Sequence, residues 1–189
     1  ALESVQESFR GPVIGVIRPG ATGAFNVAGP KGFVGLIATQ GTVESGVYDQ
    51  ELAALGLENA PVKQACPEFV TLVEAGMVDK GAIELAAKNC TRVFHKHPID
   101  ALILGCTHFP LLAGYLEKEL PGVALVDPAF ETIESVKTAL EEAGLLAPDN
   151  IVPEYEFFCS GDADLFRRSI EMVLGPNDYA VEQVVVKGD

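Results

Sequence analysis

Basic residues are scarce in this chain: 13 lysines and arginines stand against 27 aspartates and glutamates, a formal net charge of −14. Without a basic patch to neutralise phosphates, nucleic acid and anionic membrane surfaces are not expected partners. An acidic ligand would have to be held by local donors. Long apolar runs are missing too, and none approaches the roughly 18–20 residues of a membrane span. The four cysteines, Cys66, Cys90, Cys106 and Cys159, include no Cys-x-x-Cys pair and no metal-like spacing. With no signal peptide in view, they read as reduced thiols in a cytoplasm. His95 and His97 have no third ligand cluster near them in sequence, so they read as solvent-facing and no metal is expected. Charged residues make up only 21% of the chain and hydrophobic ones 48%, which points to a packed core rather than disorder.

What the chain does have is Ala101–Leu112, ALILGCTHFPLL. Four apolar residues read as a buried strand, Gly105 permits a tight turn, and Cys106, Thr107 and His108 follow at once. Pro110 suits the first position of a helix, where its missing N–H would be unpaired in any case. A thiol, a hydroxyl and an imidazole therefore sit at the carboxyl end of a strand, facing a helix N-terminus. Open α/β sheets bind ligands at that edge. A helix N-terminus favours thiolate over thiol, which makes Cys106 a candidate reactive cysteine. A lone cysteine at a strand end is also commonly a small buried hydrophobe, and the residues alone leave both readings open.

The flanking chain sets the fold class. ALESVQESF has a helical pattern with Leu2, Val5 and Phe9 on one face, and passes directly into an apolar strand over Val13–Ile17. Pro19-Gly20 ends that strand, and Ala21–Val27 reads as a helix. After a strand over Phe33–Ala38, Thr39-Gln40-Gly41-Thr42 repeats the logic of strand end, glycine turn and hydroxyl. Thr42 is placed to cap a helix over Val43–Leu55. Capping is the plain reading of an isolated threonine; two of them around a glycine also form a pocket where hydroxyls and backbone N–H groups can converge on a carboxylate.

Val62–Ala65 is a short strand, and Cys66-Pro67 opens a helix that runs to Gly76, with Glu74 near its end, where the helix dipole disfavours negative charge. Lys80–Lys96 is a helix whose apolar face, Ile83, Ala86, Ala87 and Cys90, places Cys90 in the core. A helix from Pro110 to about Leu120 and a strand over Val123–Val126 follow, and Pro128 breaks the pattern. Beyond it come a helix over Thr132–Leu146 and a strand over Tyr155–Phe158, with Cys159 packed on Phe157 and Phe158. Ser160-Gly161-Asp162 caps a helix over Ala163–Leu174, and Val181–Val186 is a last strand. Strands alternating with helices imply an α/β fold, a parallel sheet with helices on both sides.

GCTHFPLL resembles the second cysteine motif of glutamate racemases, in the cofactor-independent aspartate/glutamate racemase superfamily. PVIGVIRPGA, VGLIATQGTVESGVY, ACPEFVTLVEAG and FFCSGDADLF resemble further motifs of that family, in the family's order. The resemblance implies two similar α/β domains with the active site between them: residues 1–18 a remnant of the first, 19–127 the second, and 128–189 a return that completes the first. It implies proton transfer without pyridoxal phosphate or another cofactor. Two side chains must then flank the α-carbon, one removing its proton and the other returning one.

By the same resemblance, Cys106 matches the base assigned to the L-enantiomer, and His108 and Glu74 match residues that assist it. Thr39, Thr42 and Thr107 match positions that hold the substrate's carboxylates and ammonium. The family's opening aspartate–serine motif and its first cysteine, in a Cys-Asn-Thr motif, do not occur in this sequence. Cys66, Cys90 and Cys159 match no second base, and Arg18 departs from the family pattern before Pro-Gly. The expectation is a racemase polypeptide without roughly its first 70 residues, holding half an active site and showing no real turnover by itself. Glutamate is the implied small-molecule partner, with D-glutamate supplied to peptidoglycan, and hence to cell shape, in the cytoplasm. Apolar surface left uncovered favours a homodimer.

Three alternatives stand beside this reading. Aspartate racemase shares the motifs, which do not fix side-chain length. A non-catalytic binding module on the same fold is favoured by the missing first cysteine. A cysteine hydrolase built on Cys106 and His108 is weaker, since a strand-end turn need not bring two side chains so close in sequence within hydrogen-bond reach.

Overall fold

A computed structural model of the chain describes residues 2–148 and 150–186. Its central sheet is parallel and four-stranded: β1 (Val34–Ala38), β2 (Val62–Ala65), β3 (Ala101–Gly105) and β4 (Ala124–Val126), in spatial order β2-β1-β3-β4. β1 is buried at every position and β3 at all but its last, as a strand covered on both faces must be. Successive side chains point to opposite faces. Leu102 and Leu104 accordingly join one core cluster with Phe69, Ile83 and Phe109, whereas Ala101 and Ile103 join the other with Ala21, Tyr48 and Leu52.

The helices are α1 (Leu2–Ser8), α2 (Ile17–Ala28), α3 (Gln40–Ser45), α4 (Val47–Leu55), α5 (Pro67–Glu74), α6 (Lys80–Lys96), α7 (Ala113–Glu119) and α8 (Pro128–Glu142). Asp79 accepts from the Ala82 amide and begins α6 at the residue its pattern predicts. The expected apolar face of α6 is buried. His95 and His97, at the end of this helix, are exposed. Among the described residues no helix is long and apolar enough to cross a membrane.

Several local expectations fail. Val13–Val16 pairs with no strand among the described residues; an apolar run becomes a strand only where a neighbour supplies ladder bonds. Pro19-Gly20 does not end anything but lies in the first turn of α2, where the missing proline N–H costs nothing. Thr42 does not cap a continuous helix. It lies inside α3, and Gly46, left-handed at φ 65°, separates α3 from α4. Pro128 likewise begins α8 instead of breaking a pattern, with Asp127 accepting from the Ala129 amide as its cap.

The expectation of four reduced thiols also fails. Cys66 and Cys90 form a disulfide, Cα–Cα 5.8 Å, while Cys106 and Cys159 are free. Residues 24 apart carry no sequence sign of pairing. The topology supplies it, by laying α6 beside the end of β2 in one core.

The chain divides into two compact units, the first built from Met77–Leu146 and the chain up to Val73, the second from Glu74–Gly76 and the chain from Ala147 onward. In the second, β5 (Phe157–Cys159) and β6 (Val181–Gln183) pair in parallel around α9 (Ala163–Leu174). Cys159 is half-buried, and its thiol donates to the Gly161 carbonyl. Asp162 caps α9. The Leu165 amide, and after it the Asp164 amide, holds its carboxyl below the ordinary range.

Candidate active site

The register of the sheet fixes which residues meet at its carboxyl edge. Ala38, the last residue of β1, pairs with Ala65 on one side and with Gly105 on the other. Thr39 and Cys106, each one residue further on, thus leave neighbouring strands side by side, where backbones lie roughly 4.8 Å apart. The order β2-β1-β3-β4 reverses direction between β1 and β3. That is the topological switch point, where open α/β sheets form their ligand crevice.

On the β3 side the turn is tight. A Cβ on Gly105 would lie 2.8 Å from Leu36 Cδ1 and 3.1 Å from the Ile37 carbonyl oxygen, so only glycine lets β3 end this close to β1. The chain then folds back on itself. The Phe109 amide donates to the Cys106 carbonyl at 3.0 Å, and Phe109–Leu112 form a 3₁₀ turn that leads into α7. Within this turn Cys106 Sγ and His108 Nδ1 are 3.6 Å apart, both half-buried. Thr107 between them is exposed.

On the β1 side, Thr39 is extended and α3 starts at the next residue. Thr39 Oγ1 lies 3.1 Å from Thr42 Oγ1, both side chains being half-buried. The expected hydroxyl pair is therefore present, although neither hydroxyl caps the helix with a side-chain bond. Five of the six residues singled out in the sequence, Thr39, Thr42, Cys106, Thr107 and His108, lie on the two segments that follow β1 and β3 at the switch point, Thr42 within α3. Glu74, the exposed last residue of α5, groups with the second unit and is not among them.

Sequence reasoning missed what holds the turn in place. Phe109 is fully buried and meets Phe69 of α5 edge to face, ring centroids 5.1 Å apart. The only available sign was an aromatic residue directly after the histidine. Among the described residues no group of three histidines, cysteines or carboxylates could hold a metal ion. Chemically, the thiol and imidazole can pass a proton between them, and the hydroxyls on the neighbouring loop can bind an anionic group beside it.

Residues 1–136 match the family model described as Asp/Glu/Hydantoin racemase. A glutamate racemase of Desulforudis audaxviator is 36% identical over 192 residues, covering 97% of this chain and 70% of that protein. Among solved structures, the glutamate racemase isoform RacE1 of Bacillus anthracis superposes with a TM-score of 0.88 at 38% identity, over 99% of this chain and 69% of that one. The glutamate racemase of Francisella tularensis in complex with D-glutamate gives 0.83 at 32% identity, over 99% and 68%.

Proposed function

The chain belongs to the Asp/Glu/hydantoin racemase family, alongside its glutamate racemases, and from that premise we propose how its residues move a proton. The substrate is glutamate, whose L- and D-forms are interconverted without a cofactor. Cys106, as thiolate, removes the α-proton of L-glutamate. His108, 3.6 Å from the sulfur, assists by taking up or returning a proton as the thiol changes state. Thr39 and Thr42, with Thr107, hold the carboxylates and the ammonium so that the α-carbon faces Cys106. Glu74 is proposed as a further aid to proton transfer. The thiol–imidazole pair at the switch point, beside the hydroxyl pair, is the observation that supports this reading.

Inversion also requires an acid on the opposite face of the α-carbon. Cys66 and Cys90 are bonded to each other and cannot supply it, and Cys159 matches no such role. Cys106 and the residues around it are thus proposed as the side of the site that acts on L-glutamate. The product of the complete reaction, D-glutamate, would supply peptidoglycan synthesis in the cytoplasm.

Proton exchange in D₂O tests this. Followed by NMR with optical rotation alongside, L-glutamate should gain deuterium at the α-carbon, D-glutamate should not, and optical activity should persist. Cys106→Ser should abolish the exchange. Net racemisation by protein of verified 189-residue mass, or exchange indifferent to Cys106→Ser, would overturn the proposal.

A further inference from the structure

The Cys66–Cys90 disulfide has no part in the proposed proton transfer, yet it belongs to the apolar cluster against which Cys106 packs. Cys66 is the first residue beyond β2, at the same sheet edge as Thr39 and Cys106. Its amide donates to the Ala38 carbonyl at 3.0 Å, and its carbonyl accepts from the Phe69 amide at 3.2 Å. Phe69 meets Phe109 edge to face, and the Phe109 amide binds the Cys106 carbonyl. An unbroken series of contacts thus runs from Cys90 on α6 through Cys66, Phe69 and Phe109 to Cys106, all within or against one apolar cluster.

This series has little slack. Cys66 is 2% exposed, Cys90 4%, and Phe69 and Phe109 are fully buried. Reduced sulfurs separate to van der Waals contact, roughly 1.5 Å further apart than bonded ones. A close-packed interior passes such a displacement on to its neighbours instead of absorbing it in voids. Cys66 opens α5, so the displacement reaches Phe69 within one turn of that helix.

We propose that the Cys66–Cys90 disulfide is a redox-sensitive clamp on the Cys106–His108 turn, with Phe69 and Phe109 as the positioning residues through which it acts. The proposal rests on Cys106 being the proton-transfer thiol. Opening the clamp needs a dithiol reductant. Two electrons and two protons pass to the protein, the S–S bond breaks, two thiols form, and the reductant closes its own disulfide. The disulfide stays outside the proton-transfer chemistry and changes only where the Cys106 sulfur stands relative to its imidazole.

The test uses the 189-residue protein treated either with glutathione disulfide or with dithiothreitol, freed of reagent, and checked by mass for mixed disulfides. Thiols are counted after denaturation. The rate at which iodoacetamide alkylates Cys106 is read by peptide mapping across pH. The oxidised protein should show two fewer thiols than the reduced one. Its Cys106 rate should differ by at least about threefold, with a displaced pH midpoint, because alkylation follows thiolate character and access. Cys90→Ala should follow the reduced profile under both treatments.

Equal thiol counts, or coincident Cys106 profiles despite different counts, would overturn the clamp. A fall in melting temperature with an unmoved profile would do so too, since that is all a merely structural bond would give. Where Cys90→Ala fails to fold by circular dichroism, the two redox forms of the unaltered protein decide the matter. Deuterium exchange on glutamate is scored separately: its absence alongside a redox-dependent profile would defeat the racemase reading and leave the clamp standing.

Discussion

Cys106 and His108 are separated by one residue, yet Sγ and Nδ1 come within 3.6 Å of each other. Extended chain could not do this, because side chains at i and i+2 then lie roughly 6.5–7 Å apart along one face. The turn does it by closing the Phe109 amide onto the Cys106 carbonyl, which folds residues 106–109 into a compact loop with the intervening Thr107 turned outward. The objection to a cysteine hydrolase, that the two side chains need not meet, is therefore not upheld by the geometry. What speaks against that alternative is membership of the racemase family.

His108→Asn should lower α-proton exchange on L-glutamate by about 10²-fold, at the lower end of what a positioned acid–base group contributes. Binding should change little, because the imidazole is assigned to the proton and not to the carboxylates. Exchange rates across a range of glutamate concentrations separate the two effects. An unchanged maximal rate would remove His108 from the reaction.

Gly105→Ala should damage the same turn from behind. The added methyl would stand 2.8 Å from Leu36 Cδ1 and 3.1 Å from a backbone oxygen of β1. The oxygen is held in the ladder and cannot retreat. Overpacking of this kind costs roughly 1–3 kcal/mol, and a displaced Cys106 should lose exchange activity beyond what the stability loss explains. Urea unfolding read beside the exchange assay checks both. A variant as stable as the parent would show that the strands part more easily than their register suggests.

Thr39→Val keeps the shape of the side chain and deletes one member of the 3.1 Å hydroxyl pair. If that hydroxyl holds a substrate carboxylate, the loss is a charge-assisted hydrogen bond of roughly 1.5–3 kcal/mol. Apparent glutamate affinity should then weaken by about 10- to 100-fold, with the maximal exchange rate nearly retained. A fall in rate without change in affinity would assign Thr39 to local structure only.

The sheet and its edge were legible in the sequence because the evidence for them is local. VGLIA and ALILG are apolar throughout, Gly105 marks the turn, and the apolar spacing of Ile83, Ala86, Ala87 and Cys90 marks α6. The parts that were not legible depend on partners distant in the chain. Val13–Val16 has the composition of a strand but pairs with none among the described residues. Pro19 and Pro128 read as breaks, since a proline in a first helical turn looks no different in sequence from one that ends a helix. Thr39 and Thr42 were paired correctly, but the left-handed Gly46 was needed to see that Thr42 sits inside a helix of its own. The Cys66–Cys90 bond follows from topology alone, as does the meeting of Phe69 with Phe109.

Tyr48 gives a test of the core that does not depend on the catalytic reading. It lies on α4, 2% exposed, in the apolar cluster with Ala21, Val34 and Leu52, and burial pushes its phenol up to about 12. In the unfolded chain the same group ionises near pH 10. Between about pH 10 and 12 the unfolded state therefore loses this proton while the native state keeps it. The unfolded state then binds fewer protons, so stability must fall as pH rises through that window. At about 1.4 kcal/mol per unit the loss reaches roughly 2 kcal/mol by pH 12, with almost none of it present below about pH 9. Tyr48→Phe keeps the ring and deletes the ionisation. The stability difference between variant and parent should thus be flat up to about pH 9 and then swing toward the variant. Urea unfolding of both proteins from about pH 8 to 11.5 measures it, and the comparison cancels every other titrating group. Parallel curves across that range would mean that the Tyr48 hydroxyl reaches water in the folded protein, and the packing of α4 against α2 and the sheet would have to be looser than its burial implies.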